Sequence, residues 1–296
     1  MTAINSLSDV QVDKYHRDGF VVASDFFDRS TLARVDEAIT EVTAAALAQD
    51  DYSAVLELEP VDGQPIPRRI YDPYARHESF RSLLADERLL DCVEQLIGEN
   101  ILLQYTKLNM KPPHIGSVVE WHQDMAYYPC TNDDFVTVLV YLDDATCENG
   151  CLRVLPRHHT HFFSHETPDG LFAGMVTEDL DSGQFGEVVS LEAPAGSVIF
   201  LHCITPHSSL PNRSDQPRRT VIAEMRAADS FPIYFGAMTQ TDATHRIVRG
   251  RVQKFARFGG PRPLIPQTGV YTSIYDLQEQ TRRKLAQTST PDPAAN

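Results

Sequence analysis

The chain has 296 residues, with 41 acidic residues against 26 lysines and arginines and a formal net charge of -15. This acidity argues against nucleic-acid binding and gives no electrostatic attraction to anionic membranes. No apolar stretch is long enough for a membrane span, and the first residues lack the pattern of a signal peptide. The five cysteines form no CxxC motif, which is typical of reduced thiols and indicates a cytoplasmic protein.

The first hundred residues are predicted to be mainly helical. A first helix is capped near Ser8, and a short strand follows it at residues 20–22. Apolar residues at helical spacing predict a second helix after Asp28 and a third over residues 78–98. Residues 50–68 contain three prolines and are predicted to be irregular.

From residue 101 onwards the pattern changes to strands. Predicted strands cover residues 101–110, 135–142, 151–155, 188–192, 197–201 and 219–225. Residues 157–185 form a long excursion, which is typical of a lid or binding loop. Helices followed by strands and turns predict an α+β or mainly β fold, an antiparallel sandwich with helical flanks.

The end of the chain is predicted to close the fold with a helix. Residues 274–286 have the pattern of this helix, and the polar residues 287–296 are predicted to be a disordered tail. No internal repeat or linker divides the chain. Residues 1–286 are therefore predicted to form a single domain.

The segment Trp121-His122-Gln123-Asp124 contains two side chains that can bind a metal. On an extended strand His122 and Asp124 point to the same face, so that an imidazole nitrogen and a carboxylate oxygen can converge on one ion. A second histidine would complete the facial triad of non-haem Fe(II) sites, which leaves positions open for a co-substrate and oxygen. By itself the pair is a weak signal, because it is frequent by chance.

His207 is the leading candidate for the third ligand, because it directly follows an apolar strand. His202 competes for this role but lies within the predicted strand, whereas His207 has Ser209 and Arg218 at the expected offsets. Arg218, eleven residues after His207, could bind a carboxylate with two parallel hydrogen bonds, and Ser209 could add a hydroxyl. Arg219 alternates to the opposite face of the strand, so that only one of the two arginines can enter the pocket.

The order and spacing of His122, Asp124, His207, Ser209 and Arg218 resemble the phytanoyl-CoA dioxygenase family of Fe(II)/2-oxoglutarate oxygenases. Other segments that resemble this family are DGFVV (18–22), KPP (111–113), WHQD (121–124), YP (128–129), NGCL (149–152) and LP (155–156). Together they cover roughly residues 8–230. The combination is specific for the family and is not specific for a substrate.

The resemblance implies a double-stranded β-helix, which is a cupin-like jelly roll, flanked by N-terminal helices. It implies Fe(II), 2-oxoglutarate and O2 as the reactive groups, with His122, Asp124 and His207 (the triad) as metal ligands. The implied reaction hydroxylates a small molecule, such as a natural product, and releases succinate and CO2. Desaturation, epoxidation and rearrangement use the same cofactors and stay open. Chlorination is disfavoured, because halogenating relatives replace the acid that this chain keeps.

The resemblance also implies roles around the co-substrate. It places Arg218 and Ser209 at the distal carboxylate of 2-oxoglutarate, and Asn109 on the strand before the triad as a further contact. Where some relatives carry an aromatic residue near the co-substrate, this chain has Val140. A metal-dependent cupin-like isomerase or binding protein that never activates oxygen is the competing hypothesis. Such a protein has no need of the carboxylate clamp that Arg218 provides.

Three further residues are candidates for the substrate cavity. Arg69 could reach the mouth of the pocket, or it could be an ordinary surface charge. Tyr127 and Tyr128 closely follow the triad segment and could line the cavity or simply pack in the core. The four histidines between residues 158 and 165 match no common zinc pattern and are interpreted as part of a solvated loop, unless one faces the substrate. No residue pattern indicates the substrate or the oligomeric state.

Overall fold

The computed structural model describes residues 6–49, 54–57, 64–115, 118–234, 246–261 and 273–288. Two antiparallel sheets form the centre of the described part, and helices cover one of them. This arrangement confirms the predicted jelly roll with N-terminal helices. The single-domain organisation over residues 1–286 stays a prediction, and residues 289–296 of the predicted tail lie outside the described residues.

The first helix, α1 (Asp9–Asp18), begins and ends as the sequence predicts. Ser8 and Gln11 form a reciprocal capping box, and Gly19 ends the helix in a left-handed conformation with φ +85°. A Cβ atom at Gly19 would lie 2.4 Å from Thr205 Oγ1, so that both the backbone conformation and the close approach require glycine here. The second helix, α2 (Arg29–Leu47), is capped by the Asp28 carboxylate, which accepts from the Thr31 amide.

The prediction of one helix over residues 78–98 was wrong. Helix α3 (Pro73–Arg76) precedes this region, which contains two helices, α4 (Glu78–Leu84) and α5 (Glu87–Ile97). The chain breaks between α4 and α5 because the Asp86 side chain accepts a hydrogen bond from the Arg88 amide and starts a new helix. The apolar positions continue across the break, which is why the pattern resembled a single helix.

The strands are β1 (Phe20–Ala23), β2 (Ala54–Leu56), β3 (Pro67–Tyr71), β4 (Ile101–Lys111), β5 (Val119–His122), β6 (Phe135–Tyr141), β7 (Leu152–Val154), β8 (Val189–Leu191), β9 (Val198–His202), β10 (His207–Ser209), β11 (Arg218–Ala227) and β12 (Arg246–Arg249). Within the described ranges, the large sheet contains eight strands in the order β1-β9-β6-β11-β4-β3-β2, with β12 paired to β4. The small sheet has the order β5-β10-β7-β8.

The two faces of the large sheet have different partners. Its outer face packs against α1, α2, α4 and α5 in the main hydrophobic core, which includes Val138, Val140 and Val221. Its inner face packs against the small sheet in a second core that includes Leu139 and Ile222. Alternate residues of one strand thus serve two different cores, which explains why β6 is buried along its whole length.

Several elements were not predicted. The region 50–68, expected to be irregular, contains β2 and the start of β3, and its other residues lie partly outside the described ranges.

The excursion at residues 157–185 has no strand or α-helix and one short 3-10 turn, as predicted for a loop. The closing helix α6 (Ile274–Thr288) is present. None of the described helices has the length and apolar character required to cross a membrane.

Candidate metal centre

The triad forms where β5 meets β10. His122 and His207 are register partners on these two strands, and their ring centroids are 4.0 Å apart. The Nε2 atoms of both histidines lie 3.7 Å from Asp124 Oδ1. All three side chains are buried, and they are the one cluster of potential metal ligands found in the described ranges.

Asp124 reaches this cluster by a different backbone path from the predicted one. The strand ends at His122, Gln123 keeps an extended conformation, and Asp124 begins a 3-10 turn (Asp124–Ala126). Because Gln123 is extended, the two side chains still point to the same side. The buried Gln123 side-chain amide donates to the Ile204 and His161 carbonyls. These bonds fix Gln123 to the segment before β10 and to the excursion at residues 157–185.

Each side chain of the triad is oriented by a second hydrogen bond. His122 Nδ1 donates to the Glu120 carbonyl at 2.8 Å, which leaves its Nε2 lone pair directed at the centre. His207 Nδ1 donates in the same way to the Thr205 carbonyl at 3.0 Å. Asp124 Oδ2 accepts from Thr137 Oγ1 at 2.6 Å, so that Oδ1 remains on the side of the histidines. These contacts arrange three donor atoms before any ion binds.

The protonation states suit a divalent cation. Burial lowers the pKa of His122 and of His207, so that both imidazoles are neutral at pH 7. Burial opposes ionisation of Asp124, but the positive charges that His207, Lys107 and His122 can carry lower its pKa to about 2. Two neutral imidazoles and one carboxylate are the donor set of non-haem Fe(II) sites.

His202, the competing candidate, lies elsewhere. It ends β9, with its ring beside Tyr15 and His159 and its Nε2 atom 3.8 Å from Asp133. The loop histidines are not members of this ligand cluster, although His165 Nε2 accepts a hydrogen bond from the backbone amide of Gln123. His165 is buried against Phe172, and His158 interacts with the Phe185 carbonyl.

A small cavity beside β5 is lined by Val119 and by the predicted co-substrate residues Arg218 and Asn109. The Arg218 guanidinium is fixed by Nε and Nη2, which donate to the Gly150 carbonyl at 3.0 and 2.7 Å. Its Nη1 atom donates to Thr220 Oγ1 at 3.0 Å. The predicted Ser209 is buried on β10 and is not among the residues that line this cavity.

The charges around this cavity favour an anion. Three cationic side chains line it, Arg68, Lys111 and Arg218, with Glu57 as the one carboxylate among its lining residues. Glu57 lies 3.7 Å from Arg68 and offsets one charge. Burial and the neighbouring arginines lower the pKa of Lys111, so that an incoming carboxylate would favour its protonated form. The excess of positive charge suits a dicarboxylate.

A second cavity opens onto two members of the triad, His122 and Asp124. All three residues predicted for the substrate, Arg69, Tyr127 and Tyr128, line it together with His122 and Asp124. The remaining lining residues are Tyr105, Lys107, Val119, Ile274, Tyr275 and Gln278. The interpretation of Arg69 as a surface charge does not hold, because only 7% of this residue is exposed.

Sequence reasoning missed several residues at these two cavities. Tyr105 and Lys107 share the inner face of β4 with Asn109 and Lys111. Polar residues at every second position of this strand indicate a polar inner face, and this pattern could have predicted both residues. Tyr275 lines both cavities but comes from α6, far along the chain. No local pattern places that helix at the site. Val140 faces the helices, so its neighbour Tyr141 is the aromatic residue on the inner face.

Comparison with known proteins agrees with this geometry. The model of the family phytanoyl-CoA dioxygenase (PhyH) matches residues 15–220. The probable alpha-ketoglutarate-dependent hypophosphite dioxygenase of Stutzerimonas stutzeri is 32% identical over 256 residues, which cover 83% of this chain and 88% of that protein. The methylphosphonate hydroxylase of Gimesia maris is 29% identical over 216 residues, which cover 73% of this chain and 79% of that protein.

Solved structures support the same fold. The crystal structure of EctD from S. alaskensis with bound Fe superposes with a TM-score of 0.68 at 22% sequence identity, covering 89% of this chain and 90% of that chain. Two antiparallel sheets around a buried triad define a jelly-roll, non-haem Fe(II)- and 2-oxoglutarate-dependent dioxygenase. The chain belongs to the phytanoyl-CoA dioxygenase family. The predicted family, enzyme class and cofactors are thereby confirmed.

Proposed function

We propose that the protein hydroxylates a small molecule with Fe(II), 2-oxoglutarate and O2, and that it releases succinate and CO2. The observation that carries this proposal is the buried triad, onto which one of two neighbouring cavities opens. That cavity is lined by His122 and Asp124, and it shares Val119 and Tyr275 with a second cavity that is rich in positive charge. An oxygenase of this class needs both, since its two substrates must meet at one metal.

The triad is proposed to hold the iron. His122 and His207 present Nε2 lone pairs, Asp124 presents Oδ1, and hydrogen bonds to the opposite sides of the three groups fix their orientation. When bound, Fe(II) supplies oxygen activation coupled to the oxidative decarboxylation of 2-oxoglutarate. The carboxylate of Asp124 occupies the position at which a halogenating enzyme needs space for halide, which supports hydroxylation.

The distal carboxylate of 2-oxoglutarate is proposed to bind Arg218. Its guanidinium is already fixed by Gly150 and Thr220, so that little side-chain entropy is lost when the co-substrate arrives. Lys111 supplies a second positive charge, and the Asn109 side chain lines the same cavity. Ser209 is proposed as a further hydroxyl contact, on the strand that carries His207.

The choice of a small molecule as substrate follows the relatives, whose names refer to hypophosphite, methylphosphonate, ectoine and L-proline. A net charge of -15 supports the absence of nucleic-acid and membrane partners. All five cysteines are free, which supports the cytoplasm as the proposed location.

Anaerobic titration with Fe(II) and 2-oxoglutarate tests this function. A visible metal-to-ligand charge-transfer band should appear in the wild type and vanish in His122→Ala. His114→Ala is the matched control, because this histidine is exposed and its Nε2 atom contacts only the Asp215 carboxylate at the surface. A folded, iron-loaded wild type without the band would contradict the proposal.

A further inference from the structure

We propose that Arg69 binds an oxyanion group of the substrate, and that the substrates are therefore small phosphonates, phosphinates or carboxylates. This inference rests on the proposed function and deepens it, because it assigns a chemical class to the cavity beside the triad. Arg69 lies on β3 opposite Asn109 of β4, at the boundary between the two cavities. It lines the same cavity as His122 and Asp124.

The positive charge of Arg69 has no acidic partner among the residues that the structure describes. Its Nε atom donates to Asn109 Oδ1 at 2.7 Å, which is a neutral acceptor. The two neighbouring cations differ: Arg68 lies 3.7 Å from Glu57, and Lys107 Nζ lies 2.8 Å from Glu224 Oε1. Burial disfavours this charge, but Tyr275, Tyr71 and Tyr105 raise the pKa of Arg69, so that the guanidinium stays protonated. A buried guanidinium without a carboxylate partner is available to pair with an anionic ligand.

Aromatic rings position this guanidinium. Its central carbon lies 4.9 Å from the ring centroid of Tyr275 and 5.8 Å from that of Tyr71. Cation–π contacts of this kind partly compensate for lost water without neutralising the charge. The guanidinium therefore keeps its capacity to bind an anion. Tyr105 and Tyr128 line the same cavity.

The cavity walls also restrict the size of the substrate. The aromatic rings of Tyr127 and Tyr275, together with Ile274, enclose the space between Arg69 and the triad. Tyr127 is fixed, because its hydroxyl donates to the Gly174 carbonyl. A compact substrate could place its oxyanion on Arg69 and the bond to be oxidised at the triad. A neutral compound of the same shape would leave Arg69 without a counter-ion.

Calorimetry on the anaerobic enzyme loaded with Fe(II) and 2-oxoglutarate tests this inference. Methylphosphonate and acetate are the two anionic probes, and dimethyl methylphosphonate and acetamide are their neutral counterparts. We expect at least one anion to bind and both neutral compounds to fail. Binding of methylphosphonate alone would assign a tetrahedral oxyanion, and binding of acetate alone would assign a carboxylate. If neither anion binds while the charge-transfer band is present, the inference is wrong and the proposed function stands.

Variants identify the residue responsible. Arg69→Gln should weaken binding of the anion at least about 30-fold, with 2-oxoglutarate affinity unchanged, and Arg69→Lys should retain part of it. Arg219→Gln is the matched control, since this arginine lies on the outer face and binds Asp143. A loss of 2-oxoglutarate affinity in Arg69→Gln, with anion binding intact, would overturn the assignment. The wild-type comparison of charged and neutral probes decides the question even if a variant fails to fold. A missing charge-transfer band in the wild type would instead reject the proposed function.

Discussion

Arg218 and Arg219 are neighbours in β11, yet their guanidinium groups lie on opposite faces of the large sheet. Arg218 points inwards and donates to the Gly150 carbonyl. Arg219 points outwards and forms ion pairs with Asp143 and with Asp36 of α2. Strand alternation thus gives two adjacent, identical side chains different surroundings.

This pair allows a sharp test of the co-substrate site. Arg218→Ala should weaken 2-oxoglutarate binding by about 2–5 kcal/mol, because it removes a buried partner of the carboxylate. The affinity follows from the charge-transfer band in an anaerobic titration. Arg219→Ala should leave this affinity unchanged and lower only stability. Equal losses of affinity in both variants would argue against Arg218 as the specific contact.

The hydrogen bond from Thr137 to Asp124 predicts an effect on metal affinity. Thr137→Val keeps the shape of the side chain but leaves Asp124 Oδ2 without its donor. We expect Fe(II) affinity to fall about 10- to 100-fold, since such supporting contacts orient the ligand. Equilibrium binding under anaerobic conditions measures this change. Thr106→Val, which removes a buried hydrogen bond to Asp72, should destabilise the fold without altering the affinity.

The ion pair between Lys107 and Glu224 predicts an asymmetric effect on stability. Glu224 is fully buried and Lys107 nearly so, with 2.8 Å between Nζ and Oε1. Lys107→Met should lower the free energy of unfolding by about 3–5 kcal/mol, because it leaves a buried carboxylate without its partner. The double variant Lys107→Met/Glu224→Leu should recover much of this loss. Chemical denaturation measures both values, and a double variant less stable than Lys107→Met would contradict this account.

The hydrogen bonds to the Asp18 carboxylate lead us to expect that stability depends on pH. A hydrogen bond from Arg17, and further ones from Lys14 and Arg157, lower the pKa of Asp18 although burial opposes this shift. A lowered pKa in the folded state stabilises the protein above the ordinary pKa of the carboxyl group, and this contribution is lost as the pH falls. Asp18→Asn should therefore cost about 1–2 kcal/mol at pH 7.

The difference between the wild type and Asp18→Asn should shrink as the pH falls below about 4, towards the lowered pKa of the carboxyl group. Thermal unfolding across a pH series measures this convergence. Asp9→Asn provides a control, because Asp9 is an exposed residue at the other end of the same helix. A difference that stays constant from pH 7 to pH 3 would show that the charge of Asp18 contributes nothing to stability.

The parts of the fold that were predicted correctly depend on local patterns. Ser8 and Gly19 mark the ends of α1 by capping chemistry, and the run of β6 shows its burial in its own composition. The two helices α4 and α5 were merged, because the cap at Asp86 is one ordinary residue inside a continuous apolar pattern. The single hydrogen bond of the Asp86 side chain sets the boundary between the two helices. A hydrophobic pattern averaged over many residues does not detect one such bond.

Only those site residues that belong to a motif of regular spacing could be predicted from the sequence. His122, Asp124 and His207 were predicted from their spacing in the sequence, although Asp124 lies on a 3-10 turn and not on a strand. Lys107 was missed as part of the cavity because one strand read alone does not show which neighbours its inner face meets. Tyr275 was missed because its position depends on how α6 packs against the rest of the chain. Tertiary packing, rather than any nearby residue, sets such contacts.

The pairing of strands also determines when the metal centre can exist during synthesis. His122 cannot meet its register partner His207 until β10 has been synthesised. Strand β1 is synthesised early but pairs with β9, with Phe20 opposite Leu201. Until β9 and β10 have left the ribosome, the HxD pair has no third ligand and β1 has no neighbour. We therefore expect iron to enter after β9 and β10 have paired, following the slow closure that long-range strand pairing imposes on folding.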